Sequence, residues 1–411
     1  MKQHAFISGW RRSLVLAVGL CFAAGSQSFA APTTAQVNTT GLAVTDKEVT
    51  VGILHSLTGT MSISETGSVE AEKLAIEQIN KMGGILGRQI KIVQEDGASD
   101  WPTFAEKSKK LLVQDKVATV FGCWTSASRK AVLPVFEKEN GLLYYPTFYE
   151  GLEQSKNVIY TGQEATQQIL AGLDWVAKEK KAKTFYLIGS DYIWPRTSMK
   201  IARKHIENVL KGKVVGEEYA PLGHTQFGSV INKIKLKKPD VIYAAVVGGS
   251  NVAWFKQLKA AGITGAKQTL LTISVTEDEV LGIGGENLVG FYSAMKYFQS
   301  LDNPNNAAFV NAFKERWGAD SVIGDVTQAA YLGPWLWKAA VEKAGSFDVD
   351  KVAAASPGIE LKTAPEGYVK VHPNHHLWSK ARIGQWKADG QVKLVYESPL
   401  IEPNPFPAGY Q

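Results

Sequence analysis

Residues 119–149 read TVFGCWTSASRKAVLPVFEKENGLLYYPTFY, and this stretch indicates how the chain folds. Thr119–Gly122 is a short run that predicts a strand, and Ser128–Asn140 has the apolar spacing of a helix. A second strand is predicted at Leu142–Tyr145, directly after Gly141. A strand, a helix and a strand in close succession form a βαβ unit, whose two strands lie parallel in one sheet.

The same alternation continues on both sides of this unit. Upstream, a strand at Val49–Leu54 precedes a helix at Ser68–Met82, which Gly83 and Gly84 end. Downstream, strands at Phe185–Gly189 and Val241–Val247 alternate with helical stretches. The sequence therefore predicts an α/β fold. Two doubly wound lobes explain a chain of 411 residues better than one enormous sheet.

Composition and charge exclude several classes of protein. Hydrophobic residues make up 45% of the chain and charged residues 20%, which are globular values and argue against a disordered or fibrous protein. The formal net charge of +6 comes from 45 Lys and Arg against 39 Asp and Glu, scattered along the chain. A nucleic-acid-binding protein would need a basic stripe, so no nucleic-acid partner is expected.

The first thirty residues have the pattern of a secretory signal peptide. Lys2, Arg11 and Arg12 precede a short apolar run at Leu14–Ala24, and small residues then lead to a cleavage site after Ala30. This run is too short to span a bilayer comfortably. We therefore predict a cleaved signal peptide over residues 1–30 and a periplasmic location.

Cysteine usage agrees with an exported protein that lacks disulfides. Only Cys21 and Cys123 exist, so cleavage would leave Cys123 alone, without a disulfide partner or a cysteine-based zinc site. Lipid anchoring at Cys21 stays open. A hydrolase with Cys123 as nucleophile is disfavoured because no paired histidine motif follows it. We expect no enzyme activity, no cofactor and no metal, and we interpret His372, His375 and His376 as turn and surface residues.

Polar and aromatic side chains follow the predicted strands, where open parallel sheets bind ligands. Six such loops contain hydroxyls, glycines and rings, and few fixed cations, so a small neutral polar solute is favoured over a strongly acidic one. The loops are His55–Thr60, Gly122–Ser126, Tyr144–Tyr149, Ser190–Pro195, Gly248–Asn251 and Thr272–Glu277.

Several of these stretches resemble one family of solute-binding proteins. The stretches VGILHSLTGTMSISE, GCWTSASRKAV, YYPTFYEGLEQSKNVIYTG, GSDYIWPR and NHHLW are similar to those of the extracytoplasmic receptors of urea and short-chain amide ABC transporters, and the similarity covers nearly all of residues 47–396. The resemblance implies a type I periplasmic-binding-protein fold with a hinge and an interlobe cleft. It also implies that a membrane permease receives the solute.

The family's lobes imply domain ranges for this chain. By that analogy, lobe one would comprise 47–161 and 297–362, and lobe two 163–295 and 364–400, with 401–411 as a C-terminal tail. The chain would cross between lobes near Gly162, Lys296 and Thr363.

The resemblance also implies which residues contact the ligand. Urea-type relatives often carry an acidic residue where this chain has Gly249, which removes an acceptor for urea N–H groups and leaves room for a larger amide or substituted urea. The expected ligand-contacting residues are Trp124, Thr125, Ser126, Tyr145, Thr147, Tyr149, Tyr192, Trp194, Gly248, Gly249, Ser274 and Tyr297.

Two other roles stay open at this point. A ligand-sensing protein for amides or urea derivatives would share the fold and the site. A branched-chain amino-acid receptor would need a carboxylate for the ligand's ammonium group and a site for its carboxylate, and the rings of Trp124 and Trp194 would crowd its cleft.

Overall fold

The computed structural model describes residues 31–411, so the predicted signal peptide lies outside the described residues. Residues 32–411 form one compact unit that contains three sheets. The strands are β1 Glu48–His55, β2 Gln89–Asp96, β3 Val120–Gly122, β4 Leu143–Tyr145, β5 Val158–Tyr160, β6 Thr184–Ser190, β7 Lys213–Ala220, β8 Val241–Ala245, β9 Thr269–Thr272, β10 Tyr292–Met295, β11 Glu360–Ala364, β12 Gly367–Val371, β13 Leu377–Trp378, β14 Arg382–Trp386 and β15 Val392–Glu397.

The helices alternate with the strands over most of the chain. They are α1 Thr34–Val37, α2 Ser62–Lys81, α3 Trp101–Lys109, α4 Ser126–Lys138, α5 Ala171–Lys180, α6 Ile193–Asn208, α7 Gly228–Lys237, α8 Ser250–Ala260, α9 Glu277–Ile283, α10 Pro304–Trp317, α11 Asp325–Ala344 and α12 Val349–Ala355. A π-helical segment, Lys110–Gln114, extends α3, and another, Thr166–Leu170, leads into α5.

Two sheets organise the fold. The first has the strand order β2-β1-β3-β4-β5, and all its pairs are parallel. The second has the order β15-β14-β10-β9-β8-β6-β7, in which β14 and β15 form an antiparallel edge on a parallel sheet. The small third sheet, β11-β12-β13, is antiparallel. The predicted α/β fold with two lobes is therefore confirmed.

The cores show which elements belong together. One cluster covers a face of the first sheet and joins Phe121 to Leu336 of α11 and Val369 of β12. A larger cluster joins Tyr145 of the first sheet to Leu187 of the second. Val369 thus packs with the first sheet, although it falls in the range expected for lobe two. The lobe ranges themselves stay predictions.

Helix boundaries follow local chemistry. The side chain of Asp100 accepts a hydrogen bond from the Thr103 amide at 3.0 Å and caps α3, as its position before Pro102 predicts. The apolar spacing of Arg196–Leu210 predicts a helix that begins at Arg196, whereas α6 begins three residues earlier, at Ile193. This earlier start makes Tyr192 the N-cap residue and places Trp194 in the first turn.

Across residues 31–411, no helix combines the length and the apolarity that a membrane crossing requires.

Candidate functional site

Loops that follow the strands of both sheets meet in a group of rings, here named the aromatic cluster: Trp101, Trp124, Phe148, Tyr192 and Trp194. Ring centroids are 5.6 Å apart for Trp124 and Phe148, and 5.5 Å for Phe148 and Trp194. Tyr192 lies 6.4 Å from Trp194 and 6.4 Å from Trp101. Trp101, Trp124 and Phe148 follow strands of the first sheet, whereas Tyr192 and Trp194 follow β6 of the second. The cluster therefore lies between the two sheets.

The backbone around Trp124 is tightly constrained. A β-carbon on Gly122 would lie 2.2 Å from the Leu54 carbonyl oxygen, so only glycine fits beside β1 there. Thr125 caps α4 by accepting a hydrogen bond from the Ser128 amide at 3.0 Å. The Tyr145 hydroxyl donates to the Trp124 carbonyl at 2.6 Å. These contacts fix the backbone on which the Trp124 indole is carried.

Four buried polar groups in this region have no hydrogen-bond partner within the protein. They are the Trp124 and Trp194 indole N–H groups and the hydroxyls of Thr147 and Tyr192. Leaving such a group unpaired costs roughly 1–3 kcal/mol each, so a polar ligand that reached all four would recover that free energy. All four belong to residues that the sequence predicts as ligand contacts.

Beneath these groups lies a buried charge network around Arg129. Its guanidinium Nε donates to Glu153 Oε1 at 2.7 Å, and its Nη2 lies 3.6 Å from Glu150 Oε1. The Ser126 hydroxyl donates to Glu150 Oε2 at 2.6 Å. The guanidinium also faces the Tyr145 ring at 4.7 Å. Arg129 is therefore held by Glu153 and Tyr145, but its Nη2 is buried and has no hydrogen-bond partner within the protein.

His376 extends this network and corrects the sequence interpretation. Its ring stacks on Tyr160 with centroids 4.2 Å apart, and its Nε2 lies 2.5 Å from the Tyr149 hydroxyl. Burial lowers the pKa of His376 to about 3, so the ring is neutral. His375 is also buried, so the prediction of surface histidines was wrong for both.

A second buried ionic group follows β1 and was not predicted from the sequence. His55 Nε2 lies 2.9 Å from Glu72 Oε1, and its Nδ1 lies 3.4 Å from Glu65 Oε2. Burial alone would lower the pKa of His55, but the two carboxylates outweigh it and raise the pKa to about 10. The Ser56 amide donates to Glu65 at 2.6 Å. The signal was present in the HSLTGTMSISE stretch, whose Glu65 reaches back to the end of β1.

The electrostatics of Tyr192 connect the two ionic groups. Burial raises the pKa of its hydroxyl well above the usual value, and the charges of Glu150 and Glu65 raise it further. Two carboxylates thus act on one neutral hydroxyl at the junction of the sheets. Such carboxylates are strong acceptors for N–H groups.

The remaining predicted contacts are occupied by protein groups. The Ser274 hydroxyl donates to the Val246 carbonyl at 2.6 Å, and the Tyr297 hydroxyl donates to Asn306 at 2.7 Å. Gly248 and Gly249 contact Thr60 rather than the aromatic cluster. Conversely, Trp101 and Phe148 join the cluster but were not predicted. Trp101 begins α3 shortly after β2, and Phe148 lies in the loop after β4, so their places beyond the carboxyl ends of strands were the available signal.

Cys123 does not have the environment of a nucleophile. It is buried, and burial raises the pKa of its thiol, with the charge of Glu65 adding to the shift. A reactive cysteine needs the opposite shift toward the thiolate.

Similarity to known proteins agrees with this architecture. The family model of the periplasmic binding protein domain matches residues 49–411. A Pseudomonas aeruginosa protein named for binding leucine, isoleucine, valine, threonine and alanine is 28% identical over 286 residues, which are 69% of this chain and 74% of that protein. A shorter match, 37% identical over 118 residues to limonene hydroxylase of Geobacillus stearothermophilus, covers 28% of this chain and only 21% of that protein.

Solved structures show the same fold. A Rhodopseudomonas palustris solute-binding protein of an ABC transporter, in complex with 4-hydroxybenzoate, superposes with a TM-score of 0.79 at 22% identity and covers 89% of this chain and all of that one. The family match over residues 49–411 and the two-sheet fold lead to one conclusion: the chain belongs to the periplasmic binding protein family and is a solute-binding receptor.

Proposed function

We propose that this protein is the receptor of an ABC importer and captures urea or a short-chain amide in the cleft lined by the aromatic cluster. Closure of the two lobes buries the solute, and the closed form delivers it to the permease subunits. Transport is favoured over sensing because the sequence begins with the pattern of an export signal.

The observation that carries the proposal is the match between the site's unpaired groups and the chemistry of an amide. The indole N–H groups of Trp124 and Trp194 are donors suited to a carbonyl oxygen. The carboxylates of Glu65 and Glu150 already accept hydrogen bonds from the Ser56 amide and the Ser126 hydroxyl, and their further lone pairs are acceptors suited to amide N–H groups. A urea or amide has one carbonyl and several N–H groups, so it can satisfy both sets.

The same groups disfavour an anionic ligand. Two buried cations lie in this part of the described structure: Arg129, which contacts Glu150 and Glu153, and His55, which contacts Glu65 and Glu72. A benzoate or an amino-acid carboxylate would compete with these carboxylates for the two cations, and burying a charge that is not fully paired is strongly unfavourable.

Glu65 and Glu150 can also replace the acceptor for urea N–H groups that is missing at Gly249. An acidic residue at position 249 would offer an acceptor for urea, and its absence here is compensated if the buried carboxylates supply that acceptor. Urea has four non-hydrogen atoms, and each contributes at most about 1.5 kcal/mol to the binding free energy. The limit of about 6 kcal/mol corresponds to a dissociation constant of tens of micromolar.

The test is calorimetric titration of residues 31–411 with urea, formamide, acetamide, substituted ureas, leucine and benzoate. The proposal expects saturable binding of urea or a neutral amide, and no binding of benzoate. Binding of a substituted urea in preference to urea would narrow the ligand within the proposed class. Binding of leucine or benzoate alone would contradict the proposal.

A further inference from the structure

One backbone contact between the loops of the two sheets lies outside the aromatic cluster. The amide of Gly249, which follows β8, donates a hydrogen bond to the carbonyl oxygen of Thr60 at 3.0 Å. Thr60 lies in the loop between β1 and α2, and Gly249 lies between β8 and α8. This hydrogen bond therefore joins the loops of the first and second sheets.

The loop that presents Thr60 is held in place before the lobes close. Asp96 accepts hydrogen bonds from the Leu57 amide at 2.9 Å and the Thr58 hydroxyl at 2.8 Å. The Ser99 hydroxyl donates to the Thr58 carbonyl at 2.8 Å and accepts from the Met61 amide at 3.1 Å. All these partners belong to the first-sheet side, so the loop is preorganised there.

The opposite surface is shaped for backbone contact. Gly248 has a φ of +60°, and a β-carbon at this position would lie 2.7 Å from the Thr60 carbonyl oxygen and 2.9 Å from Met61 Sδ. Any side chain at Gly248 would separate the two loops. A β-carbon on Gly249 would instead lie 3.4 Å from the Thr60 Oγ1, which is an ordinary contact distance.

We propose that Thr60, Gly248 and Gly249 form a clasp that holds the lobes closed over the solute and limits its release. Gly248 and Gly249 are then positioning residues, and their role in binding is to retain a ligand that they do not touch. The clasp rests on the receptor function proposed above, but not on the identity of the ligand.

Two substitutions at one position isolate the hydrogen bond. Gly249 has a φ of −59°, which proline adopts without strain, so Gly249→Pro removes the N–H donor at a compatible backbone angle. Gly249→Ala retains the donor and is the matched control. We expect about tenfold faster dissociation of the bound solute for Gly249→Pro, measured by stopped-flow displacement, and a rate within about twofold of wild type for Gly249→Ala. Equal dissociation rates for the two variants, both folded, would overturn the clasp.

A ligand-independent test separates the clasp from the proposed ligand. In the double variant Thr60→Cys with Gly249→Cys, mild oxidation should form a disulfide, because the side-chain positions are close enough for one. The pair Thr60→Cys with Gly262→Cys is the control, since Gly262 has no neighbouring atom within 4 Å of a β-carbon. A cross-link in the first pair alone supports the clasp, even if no amide binds. Absence of that cross-link in a variant that still binds its solute overturns the clasp and leaves the receptor function intact.

Discussion

Two regions bury several carboxyl groups, and the pKa shifts of these groups have opposite directions in the two regions. Around Arg129, the carboxylates are paired with cations. Burial alone would raise the pKa of Glu153, but Arg129 and Lys130 outweigh it and lower the pKa to about 2. At the junction of α9 and α11, here named the acidic junction and comprising Glu277, Asp278, Glu279 and Asp325, burial dominates and raises every carboxyl pKa.

The contacts explain the difference. In the acidic junction, Asp278 Oδ2 accepts from the Thr327 hydroxyl at 2.8 Å, and Asp325 Oδ2 accepts from the Lys296 and Tyr297 amides at 2.9 Å each. The Lys296 ammonium itself pairs with Glu366. Neutral donors hold a carboxyl group in place but do not fully offset burial of its charge. The comparison predicts that the carboxylates around Arg129 stay charged above about pH 4.5, whereas the acidic junction changes its protonation between about pH 4 and pH 6.

The largest expected effect is loss of Arg129. Arg129→Met leaves Glu150 buried without a cation and Glu153 with Lys130 alone, and this should lower the free energy of unfolding by about 3–5 kcal/mol. Guanidinium chloride denaturation at pH 7 measures it. Lys156→Met is the control, because the Lys156–Asp350 pair is 67% exposed on both sides and should change stability by less than about 1 kcal/mol. If Arg129→Met and Lys156→Met lowered the free energy of unfolding equally, the Arg129 network would not stabilise the fold.

The second prediction concerns pH. Burial raises the pKa of Asp325 to about 6 from 3.8, although Lys296 opposes the shift. The folded state therefore keeps this proton to a higher pH than the unfolded chain, and stability falls as pH rises from about 4 to about 6, by on the order of 3 kcal/mol. Asp325→Asn should remove most of that decrease, as followed by denaturation at several pH values. An unchanged slope would contradict the assignment.

The contribution of Glu153 to stability depends on pH in the opposite direction. Because its folded-state pKa is about 2 and its usual value is 4.5, its stabilisation is present above pH 4.5 and is lost as pH falls toward 2. Glu153→Gln should therefore destabilise the protein at pH 7 and flatten the acid side of the stability profile, while Asp325→Asn affects the window above pH 4. Matching profiles for the two variants would remove the distinction between the regions.

The smallest effects are expected from single polar atoms of the aromatic cluster. Trp124→Phe and Tyr192→Phe each remove one donor and keep a ring, so ligand affinity should fall about tenfold with little loss of stability. Calorimetric titration of each variant with the amide that binds measures the loss of affinity. Trp175→Phe is the matched control, since Trp175 packs on Tyr292 at 5.1 Å, on the second-sheet side. Affinities equal to that of the control would show that the cluster does not contact the ligand.

The sequence predicted more of the fold than of the site. The βα alternation and the cap at Asp100 are local signals, and both were confirmed. The loops at strand ends predicted Trp124 and Tyr192, and the structure brings both rings into the aromatic cluster, because parallel topology brings such loops together. Their contact with a ligand stays a prediction. Glu65 was not predicted, since it lies within a helix and reaches the end of β1 only through packing against His55. The contact of Gly248 and Gly249 with Thr60 was also not predicted, because contact between distant loops has no signature in local sequence.

The most direct test of the central claim is a crystal structure of residues 31–411 grown with urea or with the tightest-binding neutral amide. The account predicts the solute among Trp124, Tyr192 and Trp194, with its carbonyl oxygen on an indole N–H and its N–H groups directed at Glu65 or Glu150. A solute bound elsewhere, or a carboxylate ligand in that position with a cation beside it, would contradict the account.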